Sequence, residues 1–232
     1  MKGLAEHTEK IFRQVSEMES IKEYTLIGGT ALSLQIGHRL SEDLDFCKWK
    51  PGRNERSEVA WPAISKELAL IGEIQSMDIS DFNQCDFVMN GVKLSFYANN
   101  LSVQPPSLIS VPFLNNIKLA DIKSIGAMKL EVMLRRSTFR DYYDVYCILK
   151  SGVNFSDMVQ DALKYSGHKL KSKDLLAMLA DGERFSVNAN FSCLNPVYDV
   201  DHKEIEEYMK NEIKLYNLNR QTDKDNNASM SI

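Results

Sequence analysis

The sequence predicts an α+β fold in two lobes: an N-terminal lobe of helices around a small mixed sheet, residues 1–118, then a helical lobe, 119–218. A polar tail, 219–232, is expected to be disordered. Three observations lead there. Asn90-Gly91 sits between two β-prone runs in "CDFVMNGVKLSFY", a strong short-range hairpin signal. Pro105-Pro106 interrupts regular structure soon afterwards. From Asp121 onward the apolar residues recur almost wholly at helical spacing.

Taken in chain order, Leu4, Ile11, Phe12, Val15 and Met18 mark an amphipathic helix over 4–22. Tyr24–Ile27 is a short strand running into the Gly28-Gly29 turn. Thr30 is placed to cap a helix from Ala31 to Ile36, and Gly37 to stop it. Asp43–Phe46 alternates polar and apolar, as a half-buried strand does. A polar loop over 50–57 precedes a helix from Trp61 to Ile71 that Gly72 ends. The later helices are expected near 121–135, 138–150, 156–166, 172–180 and 201–217. The tail "RQTDKDNNASMSI" lacks periodicity, and no internal repeat is visible.

With 232 residues the chain can bury a real core, and its 44% hydrophobic and 26% charged residues are those of an ordinary globular protein. No apolar run is long enough for a transmembrane helix, and the opening MKGLAEHTEKIF is too charged for a secretory signal. Cys47, Cys85, Cys147 and Cys193 lie far apart, against a zinc site or disulfide framework and in keeping with a reducing cytoplasm. The four histidines are equally scattered. A net charge of −4 gives no global attraction to nucleic acid. Locally, seven basic and four acidic residues fall between Lys118 and Lys150; on charge alone this is a solvated helical face.

The segment "GGTALSLQIGHRLSEDLDF" carries chemistry in a way its parts do not. Residues i and i+2 of a strand share a face, so Asp43 and Asp45 would project together. Two carboxylates so placed repel unless a cation lies between them, and hard oxygens suit Mg2+ with substrate phosphates. A lone Asp-x-Asp is common in loops, and a lone Gly-Gly is usually a tight turn. Joined, they offer a metal pair beside a backbone turn that opens a helix N-terminus, where anions are favoured. Arg39 and Ser41 add a cation and a hydroxyl.

Downstream, in "AMKLEVMLRRSTFRDYYDVYCIL", Lys129, Met133 and Arg136 share a helix flank, as do Met128, Val132 and Arg135. Thr138 and Asp141 have capping-box spacing, and Arg140 and Asp144 are spaced to pair on the next helix. Tyr142, Tyr143 and Tyr146 are expected to pack rather than stack on a ligand.

These two segments together resemble the AbiEii/AbiGii toxin family of nucleotidyltransferases, over most of the chain from Tyr24 to about Tyr216. The first motif matches at Gly28, Gly29, Arg39, Ser41, Asp43 and Asp45, the second at Lys129, Arg136, Arg140, Asp141 and Asp144. The resemblance implies a polymerase-β-like minimal nucleotidyltransferase lobe and transfer of a nucleotide from an NTP, with tRNA 3′ ends as acceptor in some relatives. It implies a bacterial toxin–antitoxin or phage-defence setting with a cognate antitoxin, in the cytoplasm. Asp43 and Asp45 would hold Mg2+, with Mn2+ as the alternative. Lys129 would neutralise the triphosphate, and Asp144 would be a base or the group that orients Lys129. Gly28, Gly29, Thr30 and Ser41 would cradle phosphates, aided by Arg39, Arg136, Arg140 and Asp141. The hairpin strand Val92–Phe96, where a third carboxylate would be sought, has Ser95 instead, with Asp86 across the turn a weaker substitute. Two other readings follow: a nucleotide-binding protein that has lost its chemistry, or transfer to a protein or small molecule.

Overall fold

Asn90 and Gly91 both adopt positive φ, 49° and 75°, the twist that closes a two-residue hairpin. They join β4 (Gln84–Met89) to β5 (Val92–Val103) at the predicted place. This is seen in a computed structural model, which describes the chain except at positions 51, 53, 104–107, 168, 186–189 and 230–232. The predicted break at Pro105-Pro106 lies outside the described residues. The chain divides into two compact units: Met1–Ile125 with Ser192–Val197, and Gly126–Phe191 with Tyr198–Ile232.

The first unit is built on one seven-stranded mixed sheet. Its strands are β1 (Thr25–Ile27), β2 (Leu44–Lys50), β3 (Ile74–Asp81), β4, β5, β6 (Ser110–Leu114) and β7 (Ile117–Ala120), in the order β3-β4-β5-β2-β1-β7-β6. β2 runs parallel to β5 and antiparallel to β1, while β1 and β7 are parallel. Leu44, Phe46, Leu94, Phe96 and Phe87 alternate onto one buried face. Phe46 stacks on Phe96 with centroids 5.1 Å apart, and Tyr24 and Phe87 meet Phe96 edge-on at 5.5 and 5.9 Å. Each such ring contributes about 1.5–3 kcal/mol by leaving water.

The helices of this unit are α1 (Glu6–Val15), α2 (Gly28–Ile36) and α3 (Trp61–Ile71), which Gly72 follows as expected. The helix predicted over 4–22 is shorter, with a separate 3-10 turn at Glu19–Ile21. Its end is set by distant residues: Asn116 donates from its backbone to the Ser16 carbonyl (2.9 Å) and from its amide to the Glu17 and Met18 carbonyls (3.3 and 2.9 Å). Those carbonyls are satisfied outside a helix, so the helix need not continue. α2 begins at Gly28, earlier than Ala31, and ends at Gly37 with φ +60°. Thr30 is therefore inside the helix and not its cap.

α4 (Ile122–Met133) spans the boundary between the units, and the second unit continues with α5 (Phe139–Lys150), α6 (Phe155–Tyr165), α7 (Ser172–Leu179) and α8 (His202–Ser229). Gly126 lets α6 come close, since a Cβ there would lie 2.7 Å from the Met158 sulfur. Tyr142 and Tyr143 are fully buried and Tyr146 nearly so. Tyr142 stacks on Phe185 at 4.4 Å, and Tyr143 and Tyr146 meet Phe191 and Tyr208 edge-on at 4.9 and 5.1 Å. They pack, as expected. The tail expected to be disordered from 219 instead continues α8 to Ser229. No Gly or Pro occurs between His202 and Ser229, so nothing local stops the helix once Ile205, Met209 and Tyr216 have anchored its first half.

Candidate active site

The first unit holds the Gly-Gly turn and the aspartates. Gly28 has φ +72°, and a Cβ there would stand 2.9 Å from Oδ2 of Asp45. A Cβ on Gly29 would stand 2.5 Å from Nη2 of Arg39 and 3.4 Å from Oγ of Ser41. The two absent side chains thus mark where a carboxylate and a guanidinium close on the backbone. No side chain caps α2 here, which leaves its first turn of amides to an anion. Thr30 Oγ1 instead donates to the Asp43 carbonyl and is hydrogen-bonded to Ser41 Oγ at 2.8 Å.

The loop from His38 to Asp43 is fastened from several directions. Ser41 N donates to Gly3 O (3.0 Å), and Ala5 N to Ser41 O (3.1 Å). Thr8 Oγ1 donates to Glu42 O (2.9 Å). The strap Ser192–Val197 holds the other side, with Leu40 N donating to Leu194 O (2.6 Å) and Val197 N to His38 O (2.9 Å). Arg39 is only 2% exposed, and its Nη1 donates to Leu40 O at 2.9 Å. β2 starts at Leu44, so Asp43 lies just before the strand and Asp45 within it, rather than both in the strand as predicted.

Asp45 belongs to a row that crosses the sheet. Its register partner on β5 is Ser95, whose partner on β4 is Asp86, whose partner on β3 is Asp78. Lys93 and Tyr97 flank Ser95 at i±2 on β5. Lys93 Nζ pairs with Asp86 Oδ2 at 2.8 Å. The bond to Asp86 pushes the Lys93 ammonium up, with Asp45 adding a smaller push. Burial and then Asp45 push the Tyr97 phenol up, so it keeps its proton at neutral pH.

The second unit holds a buried ionic cluster. Lys129 Nζ lies 2.6 Å from Asp141 Oδ1 and 2.7 Å from Asp144 Oδ2, with side-chain exposures of 7%, 1% and 0%. Arg136 Nε reaches Asp141 Oδ2 at 2.7 Å, and Thr138 Oγ1 donates to the same oxygen at 2.6 Å. Burial, the largest single influence, pushes the Asp141 carboxyl up. Lys129, Arg136 and Thr138 together outweigh it and hold that carboxyl far below the usual range. The predicted Arg140–Asp144 pair is replaced by Lys129–Asp144, because the buried ammonium reaches the inward side of α5. Arg140 instead lines a small cleft with Phe139, Asn190 and Phe191.

Residues 11–181 of this chain match the family described as nucleotidyl transferase AbiEii toxin, type IV toxin–antitoxin system. The chain belongs to the AbiEii family. It is therefore a nucleotidyltransferase of a toxin family, for which an NTP substrate and a cognate antitoxin are implied. An uncharacterized protein of Aquifex aeolicus (strain VF5) is 23% identical over 220 residues, covering 93% of this chain and 98% of that protein. The crystal structure of JHP933 from Helicobacter pylori is similar at TM-score 0.59 and 16% identity, covering 99% of this chain and 100% of the other. A solved H. pylori chain proposed as a nucleotidyltransferase is similar at TM-score 0.55 and 17% identity, with 91% and 95% covered. At such identities these likenesses speak for the fold.

Within this AbiEii chain the structure brings Gly28, Gly29, Thr30, Arg39, Ser41, Asp43 and Asp45 together in the first unit. It brings Lys129, Arg136, Asp141 and Asp144 together in the second. Among the described residues no group of three or more His, Cys, Asp or Glu side chains is placed to hold a metal. The donor types here, the Asp43 and Asp45 carboxylates and the Ser41 hydroxyl, are hard oxygens of the kind that suits Mg2+ or Mn2+. Lys93 and Tyr97 were missed. Their signal was the period-2 spacing with Ser95 on the strand that pairs with Asp45. No helix among the described residues is long and apolar enough to cross a membrane.

Proposed function

We propose that this AbiEii protein transfers a nucleotide from an NTP to RNA, with tRNA as the preferred acceptor, in a Mg2+-dependent reaction in the cytoplasm. The observation that carries this is the convergence of the Asp45 carboxylate, the Arg39 guanidinium and the Ser41 hydroxyl on the Gly28-Gly29 turn at the start of α2. That is a place for a triphosphate and the cation that accompanies it. The turn's amides, Ser41 and Arg39 take phosphate oxygens, and the loop fastenings hold Arg39 in place before substrate arrives. Asp43 and Asp45 would hold the Mg2+, which when bound would neutralise phosphate charge and lower the barrier to displacement at phosphorus.

The acceptor hydroxyl oxygen bonds to the α-phosphorus as the bond to the bridging β-phosphate oxygen breaks. Pyrophosphate leaves, and the hydroxyl proton is released to water. In the second unit Lys129 is the proposed catalytic cation, oriented by Asp141 and Asp144, with Arg136 and Arg140 as further cations for an anionic substrate. Catalysis of this kind is mostly positioning and electrostatics. A cognate antitoxin restrains the activity, in phage defence.

The test is incubation of the protein with total bacterial RNA, Mg2+ and each labelled NTP in turn, beside Asp45→Asn. Incorporation into a tRNA-sized band by wild type, reduced at least about a hundredfold in Asp45→Asn, is the expected result. Equal labelling by both sinks the assignment of Asp45. Label in protein or small molecules instead of RNA sinks the acceptor.

One observation favours a second reading. Lys129 is enclosed by Asp141 and Asp144 and almost wholly buried, as in a structural ion cluster. A nucleotide-binding protein without chemistry would bind NTP by calorimetry yet give no product with any acceptor or metal.

A further inference from the structure

We propose that Lys93, Ser95 and Tyr97 of β5, with Asp86 of β4, form the acceptor side of the site and take the phosphate and terminal ribose of an RNA 3′ end. This rests on the nucleotidyl-transfer reading and adds to it where the acceptor lies. The order of strands sets the two sides of Asp45. Asp45 on β2 has β1 on one side, its register partner being Ile27 next to the Gly28-Gly29 turn, and β5 on the other, its partner being Ser95. A triphosphate cradled by that turn lies on the β1 side. In phosphoryl transfer the attacking and leaving oxygens are roughly in line across the phosphorus, so the acceptor comes from the opposite side, over β5.

That side carries the chemistry an RNA end needs. Lys93 is 46% exposed at its side chain and only its terminal ammonium is engaged, so it can swing from Asp86 to a phosphodiester. Asp86 Oδ1 is buried with no hydrogen-bond partner among the described residues, an acceptor left over once the strands have paired. When Lys93 turns outward it releases the other oxygen, Oδ2, which Gln84 Nε2 also reaches at 3.4 Å, to accept from a ribose hydroxyl. Ser95 is buried at the foot of the row, and the Tyr97 phenol, half-buried beside it, remains a donor. A cation flanked by hydroxyls and one carboxylate suits a sugar–phosphate end better than a peptide hydroxyl, which brings no phosphate for Lys93.

The experiment compares wild type, Lys93→Ala, Lys93→Arg and Tyr97→Phe as full-length chains. Binding of a fluorescent single-stranded RNA with a free 3′ hydroxyl is followed by anisotropy, and binding of each NTP by calorimetry. Lys93→Ala is expected to weaken RNA binding roughly tenfold and to lower its salt dependence by about one phosphate contact. Lys93→Arg restores most of the affinity, and Tyr97→Phe loses about threefold. NTP affinity stays within about twofold of wild type in all three. Unchanged RNA binding in Lys93→Ala, or an equal loss of NTP affinity, overturns the acceptor-side assignment. So does labelling of a protein rather than RNA in the transfer assay. If wild type binds no NTP, it is the nucleotidyl-transfer reading that has failed, while the RNA titrations still judge Lys93 and Tyr97.

Discussion

Replacing Lys129 with Met removes an ammonium that serves two buried carboxylates at 2.6 and 2.7 Å. Asp141 retains Arg136 and Thr138, while Asp144, which has no exposed surface, loses the ammonium 2.7 Å away. Breaking a buried pair from one side costs about 3–5 kcal/mol, because the other charge is left without its counterion. With a urea dependence of about 2 kcal/mol per molar, the midpoint of urea unfolding should fall by about 1.5–2.5 M. The decisive comparison is the double variant Lys129→Met/Asp144→Leu. If the loss comes from a stranded carboxylate, removing it as well restores more than half of the stability, since apolar groups can replace a buried pair at little cost. Circular dichroism through urea titrations reads all three proteins. A single variant within about 1 kcal/mol of wild type, or a double variant with additive losses, refutes the argument.

Two further perturbations address the remaining charges. Gly29→Ala puts a methyl within 2.5 Å of the Arg39 guanidinium, in a helix that otherwise prefers Ala. Stability should therefore stay within about 1 kcal/mol of wild type while NTP affinity drops at least about tenfold, measured by calorimetry; unchanged affinity would count against Arg39 as a phosphate ligand. Asp141 binds its proton more weakly in the folded than in the unfolded chain. The stability it confers is complete above its ordinary value of 3.8 and is lost as pH falls below that. Urea midpoints should drop more steeply below about pH 4 in wild type than in Asp141→Asn, and identical profiles would refute this.

The helices of the second unit were legible because each carries apolar residues at its own period, and the observed bounds of α4 to α7 fall within a few residues of expectation, whereas α8 runs twelve residues past the expected end at 217. The hairpin at Asn90-Gly91 was legible because two positive-φ residues leave the backbone few options. β3 was not, for it is an edge strand, mostly exposed, and "IQSMDISD" lacks the alternation that burial of one face would impose. β6 carries Pro112, and β7 has only 4 residues, too few for a period. At the site, residue types were readable but their contacts were not. Thr30 looked like a cap until the left-handed Gly28 started the helix earlier. Asp141 has a cap's spacing, and Thr138 does accept from its amide, yet its carboxylate serves Lys129 and Arg136. Long-range pairing decided both.

The strap Ser192–Val197 has a consequence for how the protein is made. The loop carrying Arg39 emerges early from the ribosome, but two of its backbone hydrogen bonds come from Leu194 and Val197, more than 150 residues later. At about 5–20 residues per second, several seconds of synthesis separate the loop from its fastening. A nascent or truncated chain ending before Ser192 cannot fix Arg39 as the whole protein does. For a toxin, that order of manufacture means the proposed phosphate site is completed only after most of the chain exists.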